Sequence, residues 1–240
     1  TLTIAIVVSI SFAIQKHSEV LYDTLNISLV NDTPKKILIL PLNNKVKKQY
    51  LDSAISYLTN NFPEVEIIIG KNTKLPDYCF NGKRYRADSI LKFLDKIKPD
   101  SIYRIIGITG NDISVTRTLV KNGKSTTYPD RGIFGLGRRP GAVCVISSYR
   151  MGHNMYTFAK TVTHEFMHTL GVSHCKHKYC IMQDGNGSGK NMREANKIHI
   201  TCLKKANIGL SGNSKKLHQN ECEGFYMHTP PIEVPVGVRN

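Results

Sequence analysis

Apolar residues fall along this chain in two rhythms. Lys36–Leu42 and Val65–Ile69 are short apolar runs rich in branched residues, which predicts buried strands. Between them, Val46–Asn60 places Tyr50, Ala54, Tyr57 and Leu58 on one face of an amphipathic helix. Ala87–Ile97 repeats that pattern with Ile90, Leu91, Leu94 and Ile97, and Pro99 stops it. Ile102–Thr109 reads as a third strand, ended by Gly110-Asn111-Asp112. Strands alternating with helices predict an α/β fold with largely parallel pairing. Asp77–Arg86 reads as a loop and Lys121–Asp130 as a polar surface excursion. Arg131–Gly137 and Ala142–Ser147 read as further strands, the first with glycine at every second or third position. Helical spacing returns at Phe158, Val162, Phe166 and Leu170, and Asn191–Lys205 reads as one last helix beneath it.

The two ends differ from this middle. Leu2–Ile14 is almost wholly apolar, too short to span a membrane comfortably but of the length of a signal-peptide core. The expectation is export or membrane anchoring, with an extra core strand as the other reading; without a signal, the protein would be cytoplasmic. Residues 1–34 are thus read as that segment plus a linker, 35–210 as one folded domain, and 211–240 as an irregular tail containing Pro230-Pro231 and Pro235.

Composition changes the picture in one respect. The 240 residues are 40% hydrophobic and 21% charged, which excludes a disordered chain. The net charge of +15 favours acidic partners without choosing among them. No stacking module or base-reading motif accompanies the scattered lysines, so nucleic acid is not expected. The expected state is a monomer.

The candidate chemistry lies in His164-Glu165-Phe166-Met167-His168-Thr169-Leu170-Gly171-Val172-Ser173-His174, which reads H-E-x-x-H-x-x-G-x-x-H. Five fixed residues of these types coincide by chance at roughly one start in ten million. Four residues apart on a helix, His164 and His168 face the same side. Gly171 allows a turn with positive φ that brings His174 back as a third zinc ligand. Three ligands leave a fourth position open, as catalytic zinc requires. Glu165 is placed to exchange a proton with water rather than to bind the metal.

The same residues carry a resemblance. The extended motif followed by Met182 is similar to the metzincin signature. Cys175, Cys180 and Met182 form a C-x4-C-x-M tail behind the third histidine, which resembles the archaemetzincins. Ala87-Asp88-Ser89-Ile90-Leu91, Gly107-Ile108-Thr109 and Gly132–Gly137 resemble that family too. The resemblance implies a mixed twisted sheet with an antiparallel edge strand at the rim of the cleft, an active-site helix and a small C-terminal subdomain. Glycines in the rim would let a substrate backbone approach.

It also implies a zinc metallopeptidase acting on short or unstructured peptides, with cleavage from the amino end among its modes. Met182 would form the floor of the site. A second, structural zinc on four cysteines is implied as well. Cys175, Cys180 and Cys202 match in kind, but Lys205 stands at the fourth position, leaving Cys222 or His199 as replacements. Disulfides are the alternative if the protein is exported. Cys79 and Cys144 read as core residues or as a pair. The rival function is a catalytically silent zinc-bearing module that binds peptides or polyanions, in which Glu165 would have no purpose.

Overall fold

The structure, a computed structural model, describes residues 33–43, 46–185 and 189–211. Every described element falls within the unit Pro34–Asn240. The apolar segment Leu2–Ile14, nearly all of the linker after it, the tail beyond Ser211 and Cys222 lie outside the described residues. No helix among the described residues is long and apolar enough to cross a membrane.

The elements are β1 (Lys35–Leu42), α1 (Lys48–Asn61), β2 (Val65–Ile69), β3 (Tyr85–Arg86), α2 (Ala87–Ile97), β4 (Arg104–Thr109), β5 (Ile113–Lys121), β6 (Lys124–Ile133), β7 (Gly135–Gly137), β8 (Val143–Ser147), α3 (Met155–Thr169), α4 (Lys190–Glu194) and α5 (Ile200–Leu210). A five-stranded sheet has the order β2-β1-β4-β8-β7. Its first four strands are parallel, with Ile39 opposite both Ile69 and Ile106. Parallel strands covered on both faces need apolar residues at nearly every position, which explains the runs in β1 and β8.

Alternate residues of each strand feed two cores. Ile37, Ile39, Ile106, Ile108, Cys144 and Ile146 pack with residues of α1, α3 and α5. Leu40, Leu42, Ile105, Val143 and Val145 pack with α2 and Cys79. Cys79 and Cys144 therefore belong to different cores and are both free thiols, not a pair. The short β7 runs antiparallel to β8 at the sheet edge, the arrangement that the resemblance implies.

Two elements differ from the sequence reading. The stretch 121–130 is largely exposed, as expected, but it is built as an antiparallel hairpin of β5 and β6, whose second strand runs on to Ile133. Asn122 and Gly123 make its turn with φ of 50° and 73°, both in the left-handed region that a tight hairpin of this hand requires. The expected single helix over 191–205 is two helices, α4 and α5, with Ala195–His199 extended between them. Competing partners explain the break. The Lys160 ammonium takes the Arg193 and Ala195 carbonyls, at 3.1 and 2.7 Å, which a continuous helix would give to Lys197 and His199. The His199 N–H donates to the Cys180 sulfur instead, and the Lys197 carbonyl accepts from Ile181.

Helix α3 positions the site. The Asn154 side chain caps its N-terminus by accepting from the Thr157 N–H at 2.8 Å. Every residue from Thr157 to Thr169 is buried, because the sheet and α1 cover the helix on one side and the chain after Gly171 on the other. Gly171 ends it with φ of 90°, and its N–H returns to the His168 carbonyl.

Candidate metal centre

His164 and His168 stand one turn apart on α3, both buried. Each ring is held by the nitrogen facing away from its neighbour. His164 Nδ1 donates to the Ile181 carbonyl at 2.6 Å and His168 Nδ1 to the Val172 carbonyl at 2.7 Å. Those bonds leave both Nε2 atoms as bare lone pairs, 3.0 Å apart. Burial, with each other's charge, pushes the His164 imidazole down to about 3; burial likewise takes His168 down to about 4. Two neutral acceptors face to face repel unless a cation lies between them. Their spacing is near the edge, roughly 3.3 Å, of a tetrahedron built on bonds of about 2.0–2.1 Å.

The chain after Gly171 brings the third ring. The ligand nitrogens of His164, His168 and His174 all lie within 4.8 Å of one another. His174 is the most exposed of the three, and the Asp184 carboxylate stands 3.5 Å from its Nδ1. That carboxylate is the outer partner that orients a ligating imidazole and raises its basicity. Met182 is fully buried beneath, and its carbonyl accepts from the Cys175 N–H at 2.8 Å, closing the loop that carries His174. The donor set, three imidazoles of which two have the other nitrogen hydrogen-bonded and the third has a carboxylate beside it, fits zinc.

Glu165 lies against the sheet edge and lines the same cavity as His164. Burial raises its carboxyl to about 8, opposed by a hydrogen bond from the Gly137 N–H. The glycines of β7 prove to serve this packing. A Cβ at Gly135 would lie 2.7 Å from Glu165 Cγ, and one at Gly137 would lie 2.6 Å from the Glu165 carbonyl oxygen. They let the rim strand lie directly on the helix. Among the described residues, the outer edge of β7 has no partner strand.

A second cluster lies on the far side of the Met182 loop. The sulfurs of Cys175, Cys180 and Cys202 lie within 4.8 Å of one another, and none is in a disulfide. Cys180 is lowered to about 6, first by the hydrogen bond from Cys202, and the same bond holds Cys202 well above the ordinary thiol value. Burial raises Cys175. One thiolate shared among three sulfurs is a soft, electron-rich site suited to zinc. Lys205 is exposed, and two imidazoles stand beside the cluster. His177 Nδ1 is 3.2 Å from Cys175 Sγ, and His199 stacks on His177 with ring centroids 3.5 Å apart. His199 was a candidate from spacing; His177, only two residues beyond Cys175, was missed although its position in the sequence allowed it. Asp184 and the carbonyls of Ile181 and Val172 carried no signal in the sequence.

Comparison with known proteins places this geometry among relatives. The model of peptidase family M54 matches residues 36–207. The archaemetzincin of Saccharolobus solfataricus is 29% identical over 167 residues, covering 64% of this chain and 83% of that protein. The crystal structure of archaemetzincin from Methanopyrus kandleri has the same fold, with a TM-score of 0.62 at 21% identity over 76% of this chain and 99% of that one. That of Archaeoglobus fulgidus gives 0.55 at 25% identity, over 71% and 99%.

Proposed function

Because the chain belongs to peptidase family M54, the archaemetzincin zinc metallopeptidases, we propose that it hydrolyses peptide bonds at a zinc ion held by His164, His168 and His174, with Glu165 carrying the proton. The observation that carries this reading is the pair of unprotonated Nε2 atoms 3.0 Å apart, with the third imidazole beside them. When bound, zinc supplies a Lewis acid that lowers the pKa of water to about 7 and polarises a carbonyl.

The protein's own groups do the rest. The Ile181 and Val172 carbonyls and the Asp184 carboxylate keep the three rings aimed inward. Glu165 accepts the proton of the attacking water and returns it to the leaving amine. A carboxyl raised by burial suits both halves of that exchange, and the positive charge of a nearby ion pulls it back toward the ionised form. The Gly137 N–H holds that carboxylate in place. The outer edge of β7 offers backbone donors and acceptors to an extended peptide.

Three buried or half-buried thiols, one of them acidic, support a second zinc with a structural role on Cys175, Cys180 and Cys202. It would pin the loop carrying His174 to α5.

The test is cleavage of a peptide library by wild type and by Glu165→Gln, both zinc-loaded. Loss of one general base is expected to slow cleavage by about 10²–10⁴-fold with metal content unchanged. The cut positions tell endopeptidase from amino-end cleavage. Equal, slow cleavage by both proteins would leave a zinc-bearing binding module as the better description.

A further inference from the structure

Beside His164 and Glu165 the site opens into a cavity of about 190 Å³, the share of roughly six waters at about 30 Å³ each. That is room for one side chain. Four arginines line it, Arg117, Arg131, Arg150 and Arg193. Arg150 is committed to Asp112 through two bonds of 2.7 Å. Among the described residues, Arg117, Arg131 and Arg193 have no carboxylate within 4.0 Å. Two acids also line it, Asp184, whose carboxylate is 3.5 Å from His174 Nδ1, and Glu165, which the Gly137 N–H holds.

The Arg193 guanidinium lies at the cavity wall formed by Gly189 and Phe134. Its Nη1 would be 2.9 Å from a Cβ on Gly189, whose other neighbour there is the Phe134 ring at 3.3 Å. The Arg193 backbone carbonyl is fixed by the buried Lys160 ammonium.

We propose that this cavity selects an acidic side chain, Asp or Glu, at a residue flanking the scissile bond, gripped by Arg131 and Arg193. A guanidinium fork matches a carboxylate in shape as well as in charge. A Lys or Arg side chain would meet unpaired positive charge, and the net charge of +15 draws acidic peptides toward the cleft. The assignment rests on the peptidase reading for the words "scissile bond", but not for the binding preference.

Two readouts test it. In library digests by the zinc-loaded full chain, Asp and Glu are expected to be enriched about 10-fold or more at one position flanking the cut. The enrichment should weaken with salt. In the double variant Arg131→Glu with Arg193→Glu it should invert toward Lys and Arg. Cuts without acidic enrichment, or enrichment unchanged in the double variant, overturn the proposal.

The second readout needs no turnover. Fluorescence anisotropy on zinc-loaded Glu165→Ala compares short peptides differing only in Glu against Gln. The Glu peptides should bind about 10-fold tighter, and the difference should vanish when Arg193→Gln is added. Equal binding overturns the proposal. Preferential binding with no cleavage by wild type sinks the peptidase reading alone and leaves the acidic pocket standing.

Discussion

At Gly137 a single hydrogen atom decides whether the rim strand can rest on the motif helix. A methyl group there would meet the Glu165 backbone oxygen at 2.6 Å, and backbone cannot swing aside. Gly137→Ala is therefore expected to cost about 1–3 kcal/mol of stability and to lower peptide cleavage, both read from urea unfolding and turnover of the one variant. Asp112 is the second residue on which much converges. Burial pushes its carboxyl up, but the Arg150 and Arg84 guanidinium groups outweigh this and hold it below the usual carboxylate value. A depressed folded value means that the stabilisation is full above the unfolded value, about 3.9, and is lost as pH falls through the folded one. Asp112→Asn should thus unfold at lower urea than wild type at pH 7, and the two midpoints should converge in acid. A gap that persists at the lowest pH where both still fold would assign Asp112 a role other than its charge.

Among the elements, α4 is the one most dependent on a distant side chain. Lys160 sits fully buried in α3 and donates to two carbonyls of the segment that ends α4. Burial lowers its ammonium to about 8, yet those carbonyls and the Tyr156 ring, 4.5 Å away, give it partners. Lys160→Met leaves the two carbonyls without this donor, for a loss of about 1–3 kcal/mol. It should also blunt the preference for acidic peptides more than it changes cleavage of neutral ones, as competition between the two peptide types would measure. The break between α4 and α5 was hidden in the sequence for the same reason. Asn191–Lys205 has helical composition, and only tertiary partners at Lys160, Cys180 and Ile181 make the extended stretch cheaper. The β5–β6 hairpin was legible: Asn122-Gly123 is a strong turn signal between the β-rich runs 113–121 and 124–128, and polarity alone obscured it. By contrast, the parallel strands and α1–α2 were readable because burial on both faces, or on one stripe, leaves a periodic imprint.

Taken whole, the molecule sets two candidate metal clusters on either side of one loop, from His174 to Met182. The three histidines could be read from spacing because one helix turn and one glycine turn bring them together. The partners that aim them come from the loop's backbone and from Asp184, and no side-chain pattern encodes those. Zinc on the thiol cluster should shield Cys175, Cys180 and Cys202. In the folded protein these three are expected to resist a thiol reagent until a chelator is added, while the buried Cys79 and Cys144 stay protected until unfolding. Reaction of all three in the zinc-loaded state would remove the second ion.

The most direct measurement is zinc bound per chain in purified wild type and in His168→Ala. Wild type should carry two ions and cleave peptides, and the variant should carry one and cleave none. If His168→Ala keeps the full complement of metal and the wild-type rate, the three imidazoles do not share an ion, and the site has been assigned to the wrong residues.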